Sequence, residues 1–154
     1  MLKISILDDG KREATEALLH SFIFNQPVEI CHDFNQPLDI LIVNKVPLDG
    51  SISIEHLSPG VVVANSGNKD VLQFIAAIGA KIITYGLNPR AAITASSHID
   101  NDYVVCAIQR AMTTICGAPI MPREFSVCIK GHTGFDERVI GAVATALICG
   151  VNFE

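Results

Sequence analysis

The chain has 154 residues, of which 49% are hydrophobic, and a formal net charge of −5. This length and apolar content suffice for one domain with a sizeable core, and no repeat, linker or change in composition divides residues 1–154. The acidic balance disfavours nucleic acid and anionic membrane surfaces as the main partners. No apolar run approaches the roughly 20 residues that span a bilayer, and the first residues lack a signal-peptide pattern, so we expect no membrane association.

The first half of the chain alternates apolar runs with turn residues. Residues 2–7 alternate well enough to predict a first strand, and residues 11–24 show the apolar spacing of a helix. Residues 27–31 predict a short strand, and residues 38–43 (LDILIV) predict a strand that is buried on both faces. This order of elements is typical of an α/β domain.

The centre of the chain predicts a compact strand–helix–strand unit. The valine run at residues 61–63 predicts a buried strand, and residues 71–78 carry apolar side chains at helical spacing before a glycine ends the helix. Either Asn68 or Ser66 is placed to cap that helix. Residues 81–85 then predict a second strand, which a connection this short makes parallel to the first.

After Ala91 the pattern changes to short β-rich segments separated by turns. The predicted strands are residues 92–97, 103–115 and 125–130, and the predicted turns are residues 100–102 and 117–119. Residues 136–150 return to helical spacing and predict a final helix that ends at Gly150.

The five cysteines are widely scattered and contain no C-x-x-C pair. We interpret them as buried, reduced thiols of a cytoplasmic protein. They are Cys31, Cys106, Cys116, Cys128 and Cys149. The adjacent Cys31 and His32 leave a metal site open as an alternative, but two neighbouring residues alone do not make one.

Two motifs give the chain a family resemblance. Asn65 follows the buried valine strand, and residues 83–88 read Ile-Thr-Tyr-Gly-Leu-Asn. In both respects the chain resembles the central, ATP-binding domain of the Mur ligases, which add amino acids to peptidoglycan precursors. The resemblance covers most of the chain. It implies a three-layer, Rossmann-like and P-loop NTPase-like parallel sheet flanked by helices, with a small antiparallel subsheet in the C-terminal half.

The resemblance also implies where a nucleotide site would lie. Gly10 and Lys11 fall on the Gly-Lys of the loop whose backbone N–H groups hold the ATP phosphates, and Asn65 falls on a residue that approaches the adenine. We therefore interpret Gly10, Lys11 and Asn65 as a vestigial nucleotide site. Alternatively, Asn65 is a turn residue whose side chain bonds its own backbone.

The rest of that loop departs from the family pattern. Leu7 stands where a loop glycine is expected, and Arg12 replaces the hydroxyl that coordinates Mg²⁺. Asp8 and Asp9 place carboxylates where the triphosphate would lie, and these would repel it. A simpler prediction is that Asp9 or Gly10 caps the first helix.

The metal-binding residues that the resemblance implies are also incomplete. Glu29 falls on a metal-binding Glu and is a weak candidate, and Asn44 falls on the Asn that follows the next strand. No histidine follows Asn44 at residues 45–49, where the family has one. We therefore predict no bound metal, with ATP and Mg²⁺ as the alternative cofactors.

These departures favour a non-catalytic, Mur-ligase-like domain with a binding, regulatory or scaffolding role, linked to peptidoglycan precursor metabolism. The substrate domains of the family are missing, and no Ser/His/Asp or Cys/His set replaces them. The alternative is a nucleotide-binding subunit of an ATP-dependent carboxylate–amine ligase that a partner chain completes. An unknown protein, a nucleotide or a UDP-linked precursor is the expected partner, and homo-oligomers remain open.

Overall fold

The computed structural model describes residues 1–47, 49–50, 52–98, 102–132 and 134–153. The chain folds as an α/β domain in which helices flank a mixed sheet. In chain order its strands and helices are β1 (Leu2–Leu7), α1 (Arg12–Phe22), β2 (Val28–Cys31), β3 (Leu38–Val43), β4 (Pro59–Asn65), α2 (Lys69–Ile75), β5 (Lys81–Tyr85), β6 (Ile93–His98), β7 (Tyr103–Ile108), β8 (Met112–Thr113), β9 (Pro119–Ile120), β10 (Arg123–Cys128) and α3 (Glu137–Ile148).

Eight strands form one sheet in the order β10-β7-β6-β5-β4-β3-β1-β2. Strands β1 to β6 pair in parallel, and β7 and β10 continue the sheet in antiparallel pairing. The antiparallel strands are therefore joined to the main sheet through β6. That junction is a single residue pair, Tyr85 with Ile93, so β6 begins where β5 ends. Strands β8 and β9 form a separate hairpin.

The sheet is buried on both faces by different elements. One face packs against α1 and α3, and its core includes Ile6, Ile42 and Tyr85. The other face packs against α2, and its core includes Leu7 and Val43. Neighbouring residues of one strand thus enter different cores, as expected for parallel strands with apolar runs. Helix α3 is buried on all sides from Val139 to Ile148.

Several predicted boundaries need correction. The first helix ends at Phe22, and its N-cap residue is Lys11, which makes no side-chain cap bond, so capping by Asp9 or Gly10 was wrong. The second helix ends at Ile75, because the backbone turns from Ala76 onward. Its cap is Asn68, whose side chain accepts from the N–H of Val71.

The predicted strand at residues 103–115 is two strands, β7 and β8, separated by residues 109–111. The turn predicted at residues 100–102 lies mainly outside the described residues. All five cysteines are unpaired, but Cys116 and Cys128 are exposed, so the prediction of buried thiols was wrong for these two. Within the described ranges, the helices are too short or too polar to cross a bilayer.

Candidate functional site

The strand order places a crevice between β1 and β3. After β1 the chain enters α1 on one face of the sheet, and after β3 it packs through Val46 and Ile52 against the opposite face. The place where successive connections leave opposite faces of the sheet is called the topological switch point. In open α/β sheets, ligands bind there, outside the carboxyl ends of the strands. The residues that follow β1, β3, β4 and β5 therefore define the candidate site.

The centre of this edge is an ion pair between Asp8, which follows β1, and Arg138 in the first turn of α3. Arg138 donates from Nε to Asp8 Oδ2 at 2.7 Å and from Nη2 to Oδ1 at 2.9 Å. The Asp8 side chain is fully buried, and that of Arg138 is 11% exposed. The hydrogen bonds that Arg138 donates to the Asp8 carboxylate raise the pKa of Arg138 further above its usual range. The pair thus occupies the sheet edge at the switch point.

Further donors surround the Asp8 carboxylate. The N–H of Asp9 donates to Oδ1 at 2.6 Å, and Asn44 Nδ2 donates to Oδ2 at 3.0 Å. Burial alone raises the pKa of Asp8, but the bonds from Arg138, Asp9 and Asn44 outweigh it and hold the pKa below its ordinary value. Asp8 is therefore a charged, fully coordinated group rather than an acid–base catalyst poised near neutral pH.

Asn44 links this ion pair to the next strands. Its amide nitrogen also donates to Thr15 Oγ1 at 2.9 Å, and its amide oxygen accepts from the hydroxyl of Tyr85. Burial, followed by the charge of Asp8, raises the pKa of Tyr85 well above its ordinary value. Tyr85 is thus a neutral hydrogen-bond donor, and the network of Thr15, Asn44, Tyr85, Asp8 and Arg138 is fixed from several sides.

Gly141 of α3 makes room for Tyr85. A Cβ at this position would lie 2.8 Å from Tyr85 Cζ and 2.9 Å from Cε1. Real Cβ atoms do not approach this closely, so only glycine lets α3 pass over the ring. The close approach brings the start of α3, and with it Arg138, to the end of the strands.

Asn65 lies at the end of β4, as predicted, and both ends of its amide are occupied. Its Nδ2 donates to Glu137 Oε2 at 2.9 Å, and its Oδ1 accepts from the N–H of Gly67 at 2.9 Å. The second bond is the turn predicted as the alternative to an adenine contact. Asn65 therefore connects the end of β4 to α3, as Asp8 connects the end of β1 to α3.

Gly10 and Lys11 lie beside the network at the start of α1. Gly10 has φ +82°, which glycine adopts without strain. The Lys11 ammonium group makes no hydrogen bond or ion pair with any residue that the structure describes. A cleft of about 550 Å³ opens beside Gly10 and is lined by Leu7, Asp9, Gly10 and Arg12 among others. Gly10 and Asn65 thus lie at the same edge of the sheet, which is formed by the carboxyl ends of the parallel strands and is called the carboxyl edge below. Gly10 follows β1, whereas Asn65 ends β4.

Glu29 is placed elsewhere. It is exposed on the edge strand β2 and pairs in register with Lys3, five residues before Asp8. Five strand residues span about 16 Å, so the structure does not bring Glu29 to the switch point. Among the described residues, no group of three or more His, Cys, Asp or Glu side chains has an arrangement that could hold a metal ion.

Sequence reasoning missed Arg138 as a central residue of the site. One signal was available: Arg138 is the one cation of α3 and lies in its first turn, where the helix dipole disfavours a cation. A cation in that position needs an anionic partner. The sequence offers the neighbouring Asp136, whose carboxylate lies 3.5 Å from Arg138 Nη1, but it does not identify Asp8, which is 130 residues away.

Comparison with known proteins does not extend this description. No family model matches the chain, and no curated protein matches it. The resemblance to the Mur ligases therefore stays a prediction, based on the motifs around Asn65 and Tyr85.

Proposed function

We propose that the chain is a non-catalytic, Mur-ligase-like domain with a binding, regulatory or scaffolding role, linked to peptidoglycan precursor metabolism. A Rossmann-like identity of the sheet and a cytoplasmic location belong to the same proposal. The strand order β2-β1-β3-β4-β5 supports the first, since doubly wound sheets use it. The five unpaired cysteines support the second.

The observation that carries the proposal is the two-point bond between Arg138 and Asp8. In a phosphate-binding loop, backbone N–H groups and a lysine are turned toward an anion. Here a buried carboxylate already takes the Asp9 N–H, the Asn44 amide and the Arg138 guanidinium. A triphosphate at this edge would have to compete with that carboxylate and lie next to its charge.

Titration of the full chain with Mg-ATP tests this role. Thermal unfolding is followed at rising nucleotide concentration, because a ligand at 100 times its Kd adds about 2.7 kcal/mol to the stability of the folded state. We expect no saturable shift of the midpoint up to millimolar Mg-ATP. A saturable shift that Mg²⁺ or ATP alone does not produce would contradict the proposal. The same assay with a UDP-linked peptide precursor tests that ligand.

One feature favours the alternative role, a nucleotide-binding subunit of a carboxylate–amine ligase that is completed by a partner chain. The Lys11 ammonium has no partner in the described part of the chain, and Arg12 Nε is buried there without a hydrogen bond. Arg12 lines the cleft and Lys11 precedes it in the chain, so both residues are near the place where a phosphate would bind. Repeating the Mg-ATP titration with Lys11→Gln decides between the roles, since only a nucleotide subunit loses a response in this variant.

A further inference from the structure

The cleft beside β1 has walls of two chemical kinds. Its volume of about 550 Å³ lies within the range of small-molecule sites. One wall is apolar and consists of the half-buried side chains of Phe34, Pro47 and Ile52. The other wall is the turn between β1 and α1, where Asp9 is exposed, together with the first turn of α1, where Glu13 is exposed. A ligand that fills the cleft therefore needs an apolar stem and a polar end.

The charges that line the cleft determine which polar group of a ligand can bind there. The lining carboxylates are those of Asp8, which is paired with Arg138, and of Asp9, Glu13 and Asp49, and Arg12 is the one basic side chain among the described lining residues. Arg12 forms no ion pair within the described part of the chain, and its Nε has no hydrogen-bond partner there. The guanidinium therefore does not neutralise the carboxylates by direct contact. Low-dielectric walls concentrate the resulting negative potential in the cleft, which attracts cations.

We propose that this cleft binds an aliphatic ammonium group. The alkyl stem lies on Phe34, Pro47 and Ile52, and the ammonium lies between Asp9 and Glu13. A primary ammonium has three donors and no acceptor, which suits carboxylate oxygens. Binding of such a ligand rests on the non-catalytic role proposed above and gives that role a ligand class. Free amines and the lysine side chain of a partner protein share this chemistry.

Two matched probes test the assignment on the full chain. Pentylamine and 1-pentanol have the same stem and differ in charge, and Nα-acetyl-lysine N-methylamide represents a lysine within a protein. We expect millimolar pentylamine to shift the backbone NMR signals of residues 7–13, 34, 49 and 52 saturably, and 1-pentanol to leave them unchanged. Tighter binding of the lysine derivative assigns the site to a partner protein, and tighter binding of pentylamine assigns it to a free amine.

Substitutions of the charged lining residues should change the affinities for cations and for anions in opposite directions. Asp9→Asn with Glu13→Gln should weaken amine binding at least tenfold. Glu29→Gln with Glu124→Gln changes the net charge equally at exposed edge-strand positions and should have little effect. Arg12→Gln should tighten amine binding about threefold, the effect of one unit charge roughly 6 Å away in water.

Two results would overturn the amine site: no saturable shift at 20 mM pentylamine, or weaker amine binding by Arg12→Gln. Inorganic phosphate is titrated in parallel, and a saturable shift of the same signals that Arg12→Gln abolishes would identify an anion site instead. Failure of the amine probes without a response to Mg-ATP leaves the non-catalytic role intact. A response to Mg-ATP removes that role whatever the amine probes show.

Discussion

Arg138 donates two hydrogen bonds to Asp8 across 130 residues of chain, and this contact fixes the first turn of α3 against the end of β1. The carboxylate is fully buried, and the guanidinium is nearly so. Taking one partner of a buried ion pair away leaves the other charge without compensation, which costs far more than the pair contributes when both are present. The stability of the carboxyl edge therefore depends on both residues together.

Removing either partner should destabilise the fold strongly. We expect Arg138→Gln and Asp8→Asn each to lower the free energy of unfolding by about 3 kcal/mol. Since the residues are in contact, the double variant should lose less than the sum. Urea unfolding at pH 7, followed by circular dichroism, measures this. Arg110→Gln, at an exposed position, is the control and should change stability by less than about 0.5 kcal/mol. Losses for the single variants that match this control would contradict a stabilising pair.

Acid should remove the contribution of Asp8. Its pKa is lowered in the folded state, so its stabilisation is fully present above the ordinary aspartate value of about 3.9. As the pH falls further, the unfolded chain takes up the proton first, and the contribution is lost through the lower folded pKa. The difference in unfolding free energy between the natural chain and Asp8→Asn should therefore shrink below pH about 4. A difference that stays constant from pH 7 to pH 2 would show that Asp8 is not held in its charged form.

Gly141→Ala should destabilise the fold, although alanine favours helices by about 1 kcal/mol over glycine. The added Cβ would lie 2.8 Å from Tyr85 Cζ, and the ring is fully buried. We expect a loss of about 2 kcal/mol or more, as for overpacked cores. Gly79→Ala is the matched control, because no atom lies within 4 Å of its added Cβ. Equal unfolding midpoints for the two variants would show that α3 does not depend on the close approach.

Alkaline pH should unfold the protein partly through Tyr85. Burial raises the pKa of this phenol well above 10, so the unfolded chain ionises first and stability falls as the pH rises above about 10. Tyr85→Phe leaves Asn44 Oδ1 without its donor and should cost about 1–3 kcal/mol at pH 7. The variant should then lose less stability than the natural chain between pH 9 and 11. Parallel losses in the two proteins, measured by urea unfolding, would contradict a buried neutral Tyr85.

Local sequence patterns predicted three strands of the parallel sheet with their bounds. The bounds of β1, β3 and β5 are those predicted, because each apolar stretch ends at a turn residue, namely Asp8, Asn44 and Gly86. Helix ends were less predictable. Helix α2 was expected to continue to a glycine but ends at Ile75, since the side chain of Ile78 is buried from the turn that follows the helix.

The identity of the groups that occupy the carboxyl edge depends on how the helices pack on the sheet. The sequence placed Asp8, Asn44, Asn65 and Tyr85 at strand ends, and parallel pairing brings such ends together. Arg138 reaches them because Gly141 lets α3 cross the ring of Tyr85, a steric condition that no local pattern encodes. Local apolar spacing thus fixes elements, whereas a charge pair between distant residues depends on how those elements pack.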